Sequence, residues 1–406
     1  MNTVFDQTIF SCERDRDLAV RAYQTLMNNV YPREGYLWSP FRCVSPGRGN
    51  FRGIWNWDSA FHAAGLARWD TELAKESILG FLQFQREDGL LPDVIRENGT
   101  IVTGFGKPPL FAWAAERIFR ADGDASFLEA VYAPLSRNAV FWETERFDRG
   151  LFFYDADDKE SEDYLIRVKY ESGWDNSVRW DDGITEYYAV DLNCFMVMFY
   201  RSMASIASVL QKETESLTWR SKAEALSVLI NQKLWDAENH WYADANRYTG
   251  KVSSVLTPAS FMPLYIEIAS DAQAQSMRDI AVERFDSKMP TVSFDNPSYS
   301  NDYWRGPTWL NVAYFAAKGL KHYGFSVAED IKDSILNMCF ADTRGIFENY
   351  DSKTGIFNKT KVSSGIINIL MRTPKQISRN SRIRGIEIHV TFIARAQFPQ
   401  NKSLRF

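Results

Sequence analysis

The sequence predicts an all-α fold, an (α/α)6 barrel in which six helical hairpins form two concentric layers. Two observations carry this expectation. Apolar residues recur at helical spacing through most of the chain, and the links between the resulting helices alternate between short and long. No fixed repeat period runs through the chain, which argues against a solenoid of helical repeats.

Periodicity predicts helices near 14–30, 58–69, 71–86, 108–121, 124–145, 190–212, 216–235, 257–266, 272–285, 307–323 and 325–339. In the third, Leu73, Ile78, Leu79, Leu82 and Phe84 form a broad apolar face around Glu72, Lys75 and Glu76. Pro108-Pro109 opens the fourth, where a missing amide costs little. Trp69-Asp70 joins the second helix to the third, and Ala121-Asp122-Gly123 the fourth to the fifth. The sixth and seventh, and the tenth and eleventh, are joined as tightly. The other links, 31–57, 87–107, 146–189, 236–256, 286–306 and from 340 onward, are long. A ring of hairpins produces this alternation and gathers its long loops at one rim. A twelfth helix should begin near Glu348.

Composition narrows the function. No Pro/Gly/Ser-rich linker interrupts the chain before residue 355, so residues 1–355 read as one domain. Aromatic residues make up 15% of the chain, with 13 Trp, enough to build stacking platforms for sugar rings as well as a core. A net charge of -5 gives no reason to expect nucleic acid or an anionic membrane as a partner. No stretch approaches the roughly 20 apolar residues of a membrane span. Met1 to Asp17 lacks a basic segment followed by an apolar run, and Cys12, Cys43, Cys194 and Cys339 form no paired motif. Both point to a cytoplasmic chain. Four His without ligand spacing give no zinc signal, no cofactor is expected, and the sequence leaves the oligomeric state open. The acidic run Asp155, Asp157, Asp158, Glu160, Glu162, Asp163 lacks the glycine of a calcium loop and reads as a solvated loop.

The chemically rich boxes all fall in long links or where a link enters the next helix. Two carboxyls stand out: Asp175 in Glu171-Ser172-Gly173-Trp174-Asp175, and Glu348 in Phe347-Glu348-Asn349-Tyr350-Asp351. A carboxyl beside indole and phenol rings is partly desolvated, which raises its pKa. Two such groups facing each other across a sugar suffice for glycoside hydrolysis without metal or cofactor. The remaining boxes are Arg52 with Trp57-Asp58, Asn98-Gly99 with Lys107, Arg179-Trp180, Trp241-Tyr242 and Tyr303-Trp304-Arg305.

These boxes resemble the inverting α-glycosidases of glycoside hydrolase families 63 and 37. The matching segments are Phe51-Arg52 with Trp57-Asp58-Ser59, Lys107-Pro108-Pro109-Leu110, Glu171 to Asp175, Val190-Asp191-Leu192-Asn193, Tyr303 to Trp309, and Glu348-Asn349-Tyr350-Asp351. They follow the family order over roughly residues 35–355. The resemblance implies that Asp175 is the general acid and Glu348 the general base, about 6.5–9.5 Å apart to leave room for water. It further implies a small carbohydrate substrate held by Asp58 between Trp57 and Trp174. Tyr36, Arg52, Asn98, Lys107, Arg179, Tyr303, Trp304, Arg305 and Trp309 complete the expected binding set, each arginine either contacting substrate or locking a neighbouring carboxylate. Tyr36, Arg52 and Lys107 resemble the rim of mannosylglycerate and glucosylglycerate hydrolases, where a cation meets a carboxylate. Phe105 replaces a sugar-binding Arg of trehalases, which lowers that option.

After Gly355 the character changes. Residues 356–406 carry ten Lys/Arg and one acid, Glu387, with no Trp. Relatives continue here into an aromatic-rich closing helix, whereas Gly385 to Phe392 reads as a strand. Residues 356–406 therefore read as an atypical basic tail, and a shifted reading frame accounts for it better than a nucleic-acid arm. An uncovered helix position would lower solubility and melting temperature. The tail also raises an alternative: a sugar-binding protein on the same scaffold, impaired in catalysis because Glu348 is loosely held.

Overall fold

The computed structural model describes residues 12–47, 51–343 and 345–357, and among these helices dominate. α1 (Glu13–Asn28) precedes the hairpin of α2 (Asn56–Leu66) and α3 (Thr71–Leu82), then that of α4 (Phe111–Asp122) and α5 (Ala125–Glu145). α6 (Tyr164–Ser172) lies within the next connection. Three more hairpins follow. They are α7 (Val190–Val209) with α8 (Glu213–Lys233), α9 (Met262–Tyr265) with α10 (Asp271–Phe285), and α11 (Leu310–His322) with α12 (Val327–Ala341). The expected helices are present with shifted ends. α6 is an addition, a short helix inside 146–189 whose few buried residues leave a weak periodic signal.

Burial sorts the helices into two layers. α2 buries ten of its eleven residues and α7 sixteen of twenty. α8 buries six of twenty-one, and these (Ser216, Trp219, Ala223, Leu226, Ser227, Ile230) form one stripe at helical spacing. α2, α4, α7, α9 and α11 pack in succession as an inner ring, with their partners outside. Small residues permit that packing: a side chain added at Gly319 of α11 would lie 2.7 Å from the Tyr265 amide nitrogen of α9. Phe61, Trp113, Phe195 and Tyr265, one from each of the other inner helices, gather around Phe315 of α11 with ring centroids 4.8–6.0 Å from it. They fill the ring interior.

Two expectations change. α7 is long and apolar enough to cross a membrane by length and composition, which the sequence reading did not anticipate; 78% of its apolar window is buried. Among the described residues no helix follows Ala341. Asn349-Tyr350 instead forms a short strand antiparallel to Thr308-Trp309. α1 closes the outer layer against α12, with Arg14 donating to Asn337 at 2.9 Å and Asp333 at 3.0 Å. The strand expected at 385–392, and the tail beyond residue 357, lie outside the described residues.

Candidate active site

The N-terminal turns of the inner helices and the links before them supply the site. Trp57 and Asp58 stand in the first turn of α2. That turn is fixed because strand Gly53–Trp55 pairs with Val94–Arg96, and the Asn56 amide donates to the Asp93 carbonyl at 2.9 Å. Trp57 also explains Gly173, which has a left-handed φ of +75° and where an added Cβ would sit 2.4 Å from the Trp57 ring. Only glycine fits both demands. Beside it, fully buried Glu171 accepts from the amides of Gly106 and Asp155 and from Arg146, tying the Lys107 link to the Asp175 link.

These segments enclose a cavity of about 60 Å³ lined by Pro46, Phe51, Trp55, Trp57, Asp58, Lys107, Gly173, Asp175, Tyr303, Trp304, Trp309 and Glu348. Indoles make one wall: Trp304 stacks on Trp309 at 3.6 Å, with Trp174 behind it at 4.9 Å. A larger depression, about 550 Å³ along Thr214–Ala225 on α8, carries no carboxyl and lies on the outer layer.

Burial dominates the electrostatics. It pushes Asp175 up to about 6, against the opposing charge of Lys107. Asp58 is pushed to about 7 by burial and by nearby Asp93 and Asp175, again against Lys107. Glu348 is driven well above the carboxylate range by burial, then by Asp58 and Asp175. Its Oε2 is buried with no hydrogen-bond partner among the described residues. Tyr303 donates to Asp175, and its phenol is pushed well up by burial and by that carboxyl. Tyr303 also holds a backbone φ of +39°, a costly conformation for a bulky residue, at the point where its hydroxyl meets Asp175. The site thus holds protons on its carboxyls to higher pH than free carboxyls do, to about 6 at Asp175 and about 7 at Asp58.

The expected residues divide. Trp57, Asp58, Lys107, Asp175, Tyr303, Trp304, Trp309 and Glu348 share the cavity; Tyr36, Arg52, Asn98, Trp174, Arg179 and Arg305 do not line it. Tyr36 stacks on Trp38 at 5.1 Å. Arg52 and Asn98 are exposed, and Asn98 accepts from the Thr100 amide in a hairpin turn. Arg179 is buried between Asp191 and Asp244, at 2.8 and 2.7 Å, and covers the Trp174 ring at 4.8 Å. Arg305 makes two 2.7 Å bonds to Asp181 and holds the Tyr303-Trp304 link against residues 176–181. Both arginines brace the wall through carboxylates. Trp241 pairs with Asp236 in a hairpin and donates to the Ser253 carbonyl, away from the cavity. In the acidic run, Asp155 accepts from Tyr164 and Asp157 pairs with Arg86 and Arg146, so these two brace the link and the run is only partly a solvated loop.

Sequence reasoning missed Asp93, whose side chain is 8% exposed and 3.3 Å from the Lys107 ammonium. A lone Asp inside Leu90-Leu91-Pro92-Asp93-Val94-Ile95 was its available signal. Glu348 is held from within: the Trp309–Asn349 pairing and Ser352, which donates to the Gly306 carbonyl at 2.7 Å, anchor its segment to the start of α11.

Carboxyls meeting around an indole-walled space at the mouth of a helical toroid are what cleavage of a glycosidic bond requires, and this is the class of glycoside hydrolases. Residues 52–365 match the model of the mannosylglycerate hydrolase MGH1-like glycoside hydrolase domain, and the chain belongs to that family. It is 24% identical over 388 residues to mannosylglycerate hydrolase MGH1 of Selaginella moellendorffii, covering 77% of this chain and 78% of that one. A periplasmic trehalase of Salmonella schwarzengrund is also 24% identical, over 83% of this chain and 65% of the trehalase. The structure is similar to that of the GH63 mannosylglycerate hydrolase from Thermus thermophilus, with a TM-score of 0.71, 22% identity, and coverage of 85% and 96%. The Thermus enzyme has been solved with glucose and with Tris and D-glycerate.

Proposed function

We propose that this chain hydrolyses the α-glycosidic bond of a small glycoside with inversion, with Asp175 as acid and Glu348 as base. The observation that carries this is the meeting of Asp175 and Glu348 in one aromatic-walled cavity, with Asp175 keeping its proton to about pH 6. Asp175 donates its proton to the glycosidic oxygen while Glu348 takes one from water on the opposite ring face. A base must be ionised, whereas burial, with Asp58 and Asp175 nearby, holds Glu348 well above its ordinary value. Water bonded to Glu348 Oε2 offsets that burial, so hydration of this oxygen belongs to the reactive state. The cavity of about 60 Å³ has room for several waters, the attacking one among them.

Mannosylglycerate is the first substrate to test, followed by glucosylglycerate, trehalose and kojibiose. Support comes from the family description and from the glucose and D-glycerate complexes of the Thermus relative. Of the three residues expected to meet the glycerate, Lys107 alone lines the cavity. The anchoring of Glu348 within residues 306–352 favours turnover over a sugar-binding protein without it. A cytoplasmic location fits four free cysteines, three of them buried. The test is NMR of the released sugar. Initial β-anomer from an α-linked substrate, lost in Asp175→Asn and Glu348→Gln, is expected. Initial α-anomer, or turnover surviving both substitutions, overturns the reading.

A further inference from the structure

Lys107 sits where the acidic segments meet. Its side chain is 9% exposed, with the ammonium 3.3 Å from Asp93 Oδ1, and it also donates to the Tyr170 carbonyl. Both anchors lead to carboxyls of the cavity. The Asp93 carbonyl accepts the Asn56 amide, two residues before Asp58. Tyr170 lies in the last turn of α6, five residues before Asp175, where its carbonyl also accepts the Gly173 amide and the helix dipole favours a cation. Lys107 therefore joins the two segments as well as lining the cavity with Glu348.

We propose that Lys107, fixed by Asp93, is the counter-ion that sets how Asp58, Asp175 and Glu348 share protons, with Asp93 as its positioning residue. This rests on the hydrolytic reading above. Four carboxyls outnumber one ammonium in a space that holds little water, so their ionisation is coupled. Lys107 favours the charged form of Asp58, Asp175 and Glu348, while Asp93 opposes it at Asp58 and Asp175. The groups that act on the ammonium are Asp93, Asp175, Asp58 from α2 and Glu348, with the Tyr170 carbonyl of α6 accepting from it and Tyr303 lining the same cavity. Arg96 acts on Asp93 from the strand beside it.

The test titrates the carboxyl infrared bands of the substrate-free protein, with Asp175 assigned by Asp175→Asn, and measures kcat/KM against pH on the same proteins. Lys107→Met should move the Asp175 midpoint up by about 1 pH unit or more, since an opposite charge at close range shifts a carboxyl by that order. Asp93→Asn should move it down, because the ammonium loses its neutralising partner. Lys107→Arg keeps the charge and should leave it nearly in place. Lys107→Gln replaces the methionine variant if circular dichroism shows the latter unfolded. Coincident midpoints in folded variants, shifts of the same sign, or a raised KM without any shift overturn the proposal. Infrared shifts of the expected sign in a chain without turnover uphold the counter-ion and defeat the hydrolytic reading.

Discussion

The Leu310 amide donates to the Glu348 carbonyl at 3.2 Å, joining the first residue of α11 to the proposed base. The bond continues the Trp309–Asn349 pairing, so one cavity wall and the base move as a unit. Ser352 secures the far side: its hydroxyl lies 2.8 Å from that of Thr308 and donates to the Gly306 carbonyl. This arrangement holds a carboxyl at the rim with contacts local to two links.

Ser352→Ala tests it. Losing a fully buried hydroxyl that satisfies a backbone carbonyl should cost about 1–3 kcal/mol in urea unfolding. A shift of the base by a fraction of an ångström should lower kcat by about tenfold or more, with a smaller change in KM. An unaltered kcat would mean that Glu348 is placed by something else.

Gly173→Ala addresses the opposite wall. Its φ of +75° is unfavourable for alanine, and the new methyl would overlap the Trp57 ring. Strain and displacement of the indole together should cost about 1–3 kcal/mol. Weaker sugar binding by calorimetry and a lower melting temperature are expected. A variant with wild-type affinity would separate Trp57 from sugar contact.

Much of this was legible before the structure. The inner helices announced themselves through runs such as Ala60 to Leu66, and the outer ones through single stripes as in α8. Asp175 and Glu348 stood out because indole and phenol neighbours flank them in sequence. The arginines were harder. Arg179 and Arg305 find Asp244 and Asp181 at separations of 65 and 124 residues, and no local pattern encodes such partners. A planar guanidinium suits a sugar hydroxyl and a carboxylate equally well on paper, so folding alone decides between them. Asp93 was hidden for a related reason, since its partner Lys107 lies across a strand turn. The strand at Asn349-Tyr350 displaced an expected helix because its pairing partner, Thr308-Trp309, is likewise distant in sequence.

Arg179→Met should show how much of the wall depends on one buried cation. The guanidinium is fully buried, pairs with Asp191 and Asp244, and lies 4.8 and 4.4 Å from the Trp174 and Trp180 rings. Removing it strands two buried carboxylates, a loss of about 3–5 kcal/mol. A large fall in melting temperature, partly restored by Asp191→Asn or Asp244→Asn in the same chain, is expected. Equal stability of the single variant would contradict the ion-pair account.

The carboxyls of the cavity also predict a cost to stability at high pH. Folded Asp175 keeps its proton to about pH 6, whereas an unfolded aspartate releases it at about 3.9. The folded state therefore binds that proton more tightly. The resulting stabilisation is fully present below about pH 4 and is lost as pH rises through 6. Asp58, raised to about 7, extends the loss towards neutrality. Asparagine cannot ionise and escapes the penalty. Asp175→Asn should thus melt higher than the wild type at about pH 8 and equally at about pH 4, while losing turnover. The full shift would correspond to about 3 kcal/mol, but Asp175 is only half-buried and lines a cavity that water enters. A gain of about 1–2 kcal/mol, read as a few degrees by calorimetry, is the realistic size. A lower melting temperature at that alkaline pH would show that the ionised carboxylate is stabilised in the folded chain, and would remove the case for Asp175 as a proton donor.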